Sequence, residues 1–435
     1  MWSRGKPSFV SPPASSDGQR LEPRRWFIPL VSISVLRCCA AAALDLPLQL
    51  YLSSLGASPV IISLASALTW LGMLIGGPIW GALGDRFSKK ILLSVVLLGS
   101  ALTFGMFGLQ LPAAGTVAVG FVRSAMVSGF APLSMALVSS SSSALKRGSN
   151  LSYVSSARAL GWVVGGAASG FVLEVLGFRG MFTLLAGLPL LAVCLVPLLG
   201  KAHRIPPRKR TLPFRYLTDR WLAALYSGVV LRQMGIAGSF SLLFVYMARI
   251  GIEPRAMGIV SAVSSAAQVL GLIVFGRLSD RLGRRKIFLL GFALSVAPAL
   301  LFAFAPNLWG IAVGHLLVGT AFSALYIGST AHIGDVIPSE RHGVMLGLFD
   351  SARAVGGVVG PLVAGVAVSL LGFGGMLVLM SGISLLGFFL VLGGTHRPMQ
   401  DLSTGLAEAG SNLDSPDSER SPRQGSNLPS CIRVT

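Results

Sequence analysis

Five arginines, Arg37, Arg123, Arg158, Arg232 and Arg353, stand inside long apolar runs, where Asp45, Glu174 and Asp350 are the only carboxylates in or near the same runs. An ionised side chain at the centre of an apolar helix costs about 2.5–3.5 kcal/mol on insertion scales, so each of these groups needs a partner or a wet cavity. Two kinds of chemistry suit them: capture of an anion by guanidinium groups, and reversible protonation of a carboxylate. Arg37 lies 11 residues beyond Trp26, and Arg232 lies 11 beyond Trp221. At 1.5 Å per residue both fall about 16 Å into their helices. Facing each other, they would hold a carboxylate or phosphate bidentately; alternatively, each bonds helix carbonyls and orients its own helices. Asp45, Arg123 and His315 lie about 10–14 Å below the opposite surface. A carboxylate whose proton affinity follows its distance from a guanidinium is a coupling group, and Asp45 beside Arg123 is the leading candidate. A permanent Asp45–Arg123 salt bridge is the alternative. His315 reads as a helix-packing histidine, with proton relay as its other use.

The elements that must carry these residues follow from composition. The 435-residue chain is 53% hydrophobic and 12% charged, and its formal charge is +19. A water-facing surface brings about 25% charged residues, so the solvent for most of this chain is lipid. Stretches long enough to cross an apolar layer of about 30 Å occur near 26–52, 58–82, 91–111, 114–138, 150–176, 180–200, 221–248, 254–278, 286–305, 308–333, 343–371 and 374–394. These are helices 1 to 12 of an all-α membrane protein. The N-terminal tail, 1–25, lacks the apolar core of a signal peptide. A basic linker, 201–220, separates a six-helix bundle over 26–200 from a second over 221–394, and the tail 395–435 has a disordered composition. Of the 35 Lys and Arg, 27 fall on the side that holds both termini and three on the other. The expected topology is therefore multi-pass with both termini cytoplasmic, in the plasma membrane, and with anionic lipid headgroups as partners of the basic loops. Basic residues scattered between apolar runs exclude a nucleic-acid surface. The expected unit is a monomer.

The two halves repeat at a fixed offset of 195 residues. Arg37 matches Arg232, Tyr51 matches Tyr246, and Gly56 and Pro59 match Gly251 and Pro254. Asp85-Arg86 matches Asp280-Arg281, and Arg158 matches Arg353. Residues 156–181 and 351–376 share 14 identities in 26 positions. Common apolar composition does not place Arg, Asp and Pro at one offset. Two halves in the same orientation fit parallel repeats that rock about a midplane site.

Gly81-Ala-Leu-Gly-Asp85-Arg86-Phe-Ser-Lys89-Lys90 and Gly276-Arg-Leu-Ser-Asp280-Arg281-Leu-Gly283-Arg284-Arg285 resemble the signature loop of the major facilitator superfamily. The resemblance covers residues 26–395. It implies twelve transmembrane helices in two pseudo-twofold-related six-helix bundles, alternating access, and a cavity lined by helices 1, 4, 7 and 10. Asp45-Leu-Pro47 followed by Leu55-Gly56-Ala-Ser58 is similar to the drug:proton antiporters of that superfamily. Those antiporters carry Gly-Pro in helix 5, where this chain has Gly165-Gly166; Gly360-Pro361 occurs in helix 11 instead. Arginines on helices 1 and 7 are similar to the superfamily's organophosphate transporters. The resemblance implies a small-molecule substrate and protons as coupled ion, with organic-anion exchange and a non-transporting sensor as alternatives. It also places each Asp loop against the opposite bundle, so that Asp85 with Arg353, and Asp280 with Arg158, form a cytoplasmic gate flanked by Arg86 and Arg281. Asp350, three residues before Arg353, competes for that arginine.

The remaining motifs are bland. Four cysteines give no CxxC pair or zinc spacing, and no phosphate-binding GxxxxGK[ST] loop occurs. With no nucleophile triad, metal constellation or acid/base carboxylate pair, the sequence reads as no enzyme, and no cofactor is expected. Gly161, Gly165 and Gly170, with Gly356, Gly360 and Gly365, give helices 5 and 11 faces for close approach.

Overall fold

The computed structural model describes residues 26–142, 146–199, 220–336 and 342–394. The expected tails, and the linker apart from Arg220, lie outside these residues. Among the described residues the fold is all-helical. The first half contains α1 (Phe27–Ser54), α2 (Pro59–Arg86), α3 (Lys89–Gly108), α4 (Ala113–Ser141), α5 (148–176) and α6 (178–198). The second contains α7 (Leu222–Ser241 continued by Leu243–Arg249), α8 (Pro254–Leu282), α9 (Arg284–Phe304), α10 (Leu308–Val336), α11 (342–371) and α12 (373–394).

Each of the twelve candidates ends within a few residues of its expected edge, but the breaks between α5 and α6 and between α11 and α12 are tighter than the sequence suggests. There the chain turns at a single residue, Gly177 at φ +62° or Gly372 at φ +72°. A side chain at that φ would crowd its own backbone, which is why glycine stands at both places. The two lie 195 residues apart. So do Gly56 and Gly251, at φ +72° and +80°, which end α1 and α7; Ala57 N–H and Ile252 N–H there reach back to the carbonyls of Leu52 and Met247. Pro59 and Pro254 then open α2 and α8, where a missing N–H is harmless. Tyr51 donates to the carbonyl of Leu111, in the connection that follows α3, at 2.9 Å, and the equivalent Tyr246 donates to that of Phe302 in α9 at 3.1 Å. The repeat read from sequence is thus a repeat of backbone geometry.

The glycine faces bring helices together as expected. Gly161 and Gly165 receive the backbone of Val35 and Cys39 from α1, and Gly356 and Gly360 receive Val230 and Met234 from α7. Further along the same helices the contacts cross between halves. Gly258 of α8 lies against α5, where an added Cβ would stand 2.8 Å from the nitrogen of Gly170. Gly365 of α11 lies against α2, 2.9 Å from the Cβ of Ser63 on the same measure.

Candidate functional site

Apolar packing that joins the two halves gathers at one end among the described residues. One apolar cluster mixes both halves: Leu44, Tyr51, Leu52 and Phe182 with Leu243, Phe244, Tyr246, Phe373 and Met380. It lies at the end away from the Asp-Arg loops. At the basic end each apolar cluster belongs to a single half, such as Trp26, Leu30, Trp80 and Leu93 in the first and Leu222, Phe288, Phe292 and Phe349 in the second. Among the described residues the halves are therefore sealed together at the far end and parted at the basic end.

Two polar contacts reinforce the seal. Gln49 of α1 donates from Nε2 to the carbonyl of Phe240 at 2.9 Å and accepts from the N–H of Phe244 at 3.2 Å. Both partners flank the break at Leu242, where α7 bends by 41° and leaves backbone groups without helical partners. Glu174 of α5 pairs with Arg255 at the start of α8 and also accepts that residue's N–H at 3.1 Å. The ion pair crosses between halves. Its equivalents at the other interface are Val60 and Ser369, so the charge lock exists on one side of the axis alone. Sequence reasoning counted Glu174 and Arg255 separately and passed over Gln49.

Asp45 lies one turn from Gln49, on the same face of α1 and about 6 Å nearer the basic end. Its neighbours Ala43, Leu44 and Leu46 are buried, whereas Asp45 is exposed. Because Gln49 on this face reaches α7, the face looks toward the other half rather than toward lipid, and Asp45 opens on the space between halves. Arg123 of α4 is near enough to act on Asp45 electrostatically, yet no ion pair within 4.0 Å joins them. Arg123 is 5% exposed, its guanidinium lies 5.5 Å from the ring centre of Phe104, and its Nε has no hydrogen-bond partner. The permanent salt bridge considered from sequence is absent from this conformation.

Arg37 and Arg232 do not form the facing pair that their depth suggested. Arg37 donates to the carbonyl of Val127 at 3.3 Å, where α4 is interrupted before Phe130, and it lies 4.9 Å from the ring centre of Phe130. Arg232 is 1% exposed and donates from Nε to Ser295 of α9 at 2.8 Å. Each guanidinium is held inside its own half by a backbone or hydroxyl oxygen that an irregular helix leaves available. His315, 1% exposed, packs between Phe240 and Phe302 with ring centres 5.2 and 5.9 Å away, and neither ring nitrogen has a partner.

At the basic end Asp85, Arg86, Asp280 and Arg281 are exposed, and neither aspartate makes an ion pair among the described residues. Arg353 instead bonds Asp350 at 3.2 Å and lies 5.0 Å from the ring centre of Phe322. Arg158 is half-buried with an unpartnered Nε. The expected gate pairs are therefore apart, as they must be where the halves are parted.

The model of the Major Facilitator Superfamily matches residues 30–248 and 225–421, which together take in both halves. The chain belongs to the major facilitator superfamily. It is accordingly an integral multi-pass membrane protein of a transporter family, not an enzyme. Among curated proteins it is similar to multidrug resistance protein MdtG of Citrobacter koseri, 26% identical over 365 residues, covering 80% of this chain and 89% of that one. The protein of the same name from Escherichia fergusonii is 26% identical over 349 residues, covering 76% and 84%. Among solved structures, a mutant of the nucleoside transporter NupG superposes with a TM-score of 0.74 at 14% identity, covering 85% of this chain and all of that one. A bacterial homologue of the human lysosomal transporter Spinster, inward-facing and unoccupied, gives 0.70 at 15% identity, covering 91% and 96%. At these identities the solved structures speak for the fold alone.

Proposed function

We propose that this protein is a proton-coupled secondary transporter that exports a small organic solute by alternating access, with Asp45 as the group that carries the proton. The observation that carries this reading is the position of Asp45: exposed between the halves, one turn inside the Gln49 seal, and within the field of Arg123 without being bonded to it. In that position the carboxylate can exchange a proton with water entering from the basic end. Closure of that end would change both its hydration and its distance from Arg123, which are the two quantities that set proton affinity. Export is supported by the relatives named as multidrug resistance proteins.

The excess of basic residues on loops at one end supports a plasma-membrane topology with both termini cytoplasmic. In that orientation the structure is open to the cytoplasm. Asp85 with Arg353, and Asp280 with Arg158, would then close the cytoplasmic side in the opposite state. An anion exchanger using Arg37 and Arg232 is less well supported, because Arg232 offers no surface to a solute here.

Transport of chemically diverse solutes by proteoliposomes under an imposed pH gradient tests the proposal. Accumulation that follows the gradient supports it. Solute binding without exchange or counterflow would mark a non-transporting sensor instead.

A further inference from the structure

The two walls of the parted end carry different chemistry at the same depth. On α5, Leu160, Val164 and Phe171 look to lipid, while Gly161 and Gly165 meet α1 and Gly170 meets α8. Arg158 and Trp162, one turn apart, fall between the α1 and α8 sides, on the face that looks into the space between the halves. On α10, Trp309, Val313 and Leu316 look to lipid. His315, Phe322 and Tyr326 follow one another on a different face, which His315 presses against Phe240 of α7. Arg158 and Tyr326 each lie ten residues from the basic end of their helix, about 15 Å deep, and Trp162 and Phe322 lie one turn deeper. Trp162 is 38% exposed and Tyr326 40%, although neither is on a lipid face. Tyr326 is stacked on Phe322, with ring centres 5.8 Å apart and planes 13° from parallel. Arg158 makes no hydrogen bond or ion pair among the described residues, and Nε alone among its nitrogens is enclosed. The repeat gives neither feature to both halves. Ser155 stands where Asp350 holds Arg353, so Arg158 lacks the acid that neutralises its counterpart, and Val127 and Ala131 stand where Phe322 and Tyr326 stack.

We propose that the solute received here is a planar aromatic carboxylate, stacked on Tyr326 and Trp162 and held by Arg158. This rests on the transport reading and gives its solute a class. Because Nε of Arg158 is enclosed, a carboxylate meets the two terminal nitrogens end-on, with one oxygen on each. The ring system behind it lies against the exposed indole and phenol, where stacking adds to apolar burial. Arg37, near enough to act on Arg158 electrostatically, strengthens the positive field at this level. A cationic solute finds no free acid beside the rings, since Asp350 is already bonded to Arg353 and Asp45 lies about 12 Å farther in. Closure of the basic end would bring Asp280 to Arg158, so the gate carboxylate takes the place of the solute's and frees it to leave on the far side.

Titration calorimetry of the purified full chain in detergent reads this site without requiring turnover. Naphthoate is expected to bind about tenfold tighter than naphthamide, the effect of one charge-assisted pair, and several-fold tighter than its saturated analogue, decalin carboxylate. Arg158→Gln should remove the first preference and keep the second; Tyr326→Leu should keep the first and reduce the second. Each preference is a ratio within one protein, so a smaller folded fraction does not imitate either result. Equal affinity for naphthoate and naphthamide in the unaltered chain, or tighter binding of naphthylmethylamine, would overturn the carboxylate. Equal affinity for naphthoate and decalin carboxylate would overturn the aromatic wall. The expected pattern without counterflow of naphthoate in liposomes would uphold the site and discard the transport reading.

Discussion

Gln49 and Phe244 occupy the same position in the two halves of the repeat, 195 residues apart, and are hydrogen-bonded to each other across the axis that relates those halves. The amide of one first helix thus completes the broken backbone of the other. Repeat symmetry is kept in the fold and given up in the bond, because Phe244 has no side-chain group with which to return it.

Replacing Gln49 with Leu removes two buried hydrogen bonds that exist only while the far end is shut, each worth about 0.5–1.5 kcal/mol. The population open at the far end is expected to rise roughly tenfold, readable as a longer distance between spin labels at Leu55 and Glu253. Glu174→Gln breaks a pair whose arginine side chain is 55% exposed, so its shift should be several times smaller. An unchanged distance in Gln49→Leu would remove Gln49 from the gate.

Asp45→Asn keeps the size of the side chain and deletes its proton. Gradient-driven accumulation is expected to fall to background while solute exchange without a gradient persists, measured in the same liposomes. Asp45→Glu should recover part of the coupling. Accumulation that survives in Asp45→Asn would assign the proton to another group.

His315→Leu tests the bland reading of the histidine. Both ring nitrogens are buried without partners between Phe240 and Phe302, so an apolar replacement is expected to raise stability by about 1 kcal/mol, seen as a higher Tm in detergent. Loss of proton coupling at unchanged Tm would make His315 a relay.

Asp85→Asn and Asp280→Asn concern the opposite state. Neither aspartate has an ion-pair partner among the described residues while the basic end is parted, so neither change should lower the stability of this conformation. Both should lower the population closed at that end, measured by spin labels on the two loops. Equal stability together with an unchanged closed population would discard the gate pairs.

The fold was legible because lipid leaves few choices. A helix must satisfy its own backbone groups in an apolar layer, so length and hydropathy locate the spans, and fixed-offset Arg, Asp and Pro expose the repeat. The intramembrane charges could be named for the same reason. Their directions could not. The depth of Arg232 is the same whether it faces a cavity or Ser295, and only the packing of α7 against α9 decides. Gln49 gave no signal, because a single amide in an apolar run is common and its partner is a backbone N–H freed by a bend. The Glu174–Arg255 pair was illegible in another way, since it depends on which pair of helices the halves bring together.

The connections at the far face are short: 55–58, 109–112, 250–253 and 305–307, with single glycines at Gly177 and Gly372. That face therefore offers almost no epitope. An antibody fragment raised to trap one conformation would find little chain to grip there. A solute arriving from the far side would likewise meet no external loop able to select it, so discrimination has to occur within the membrane.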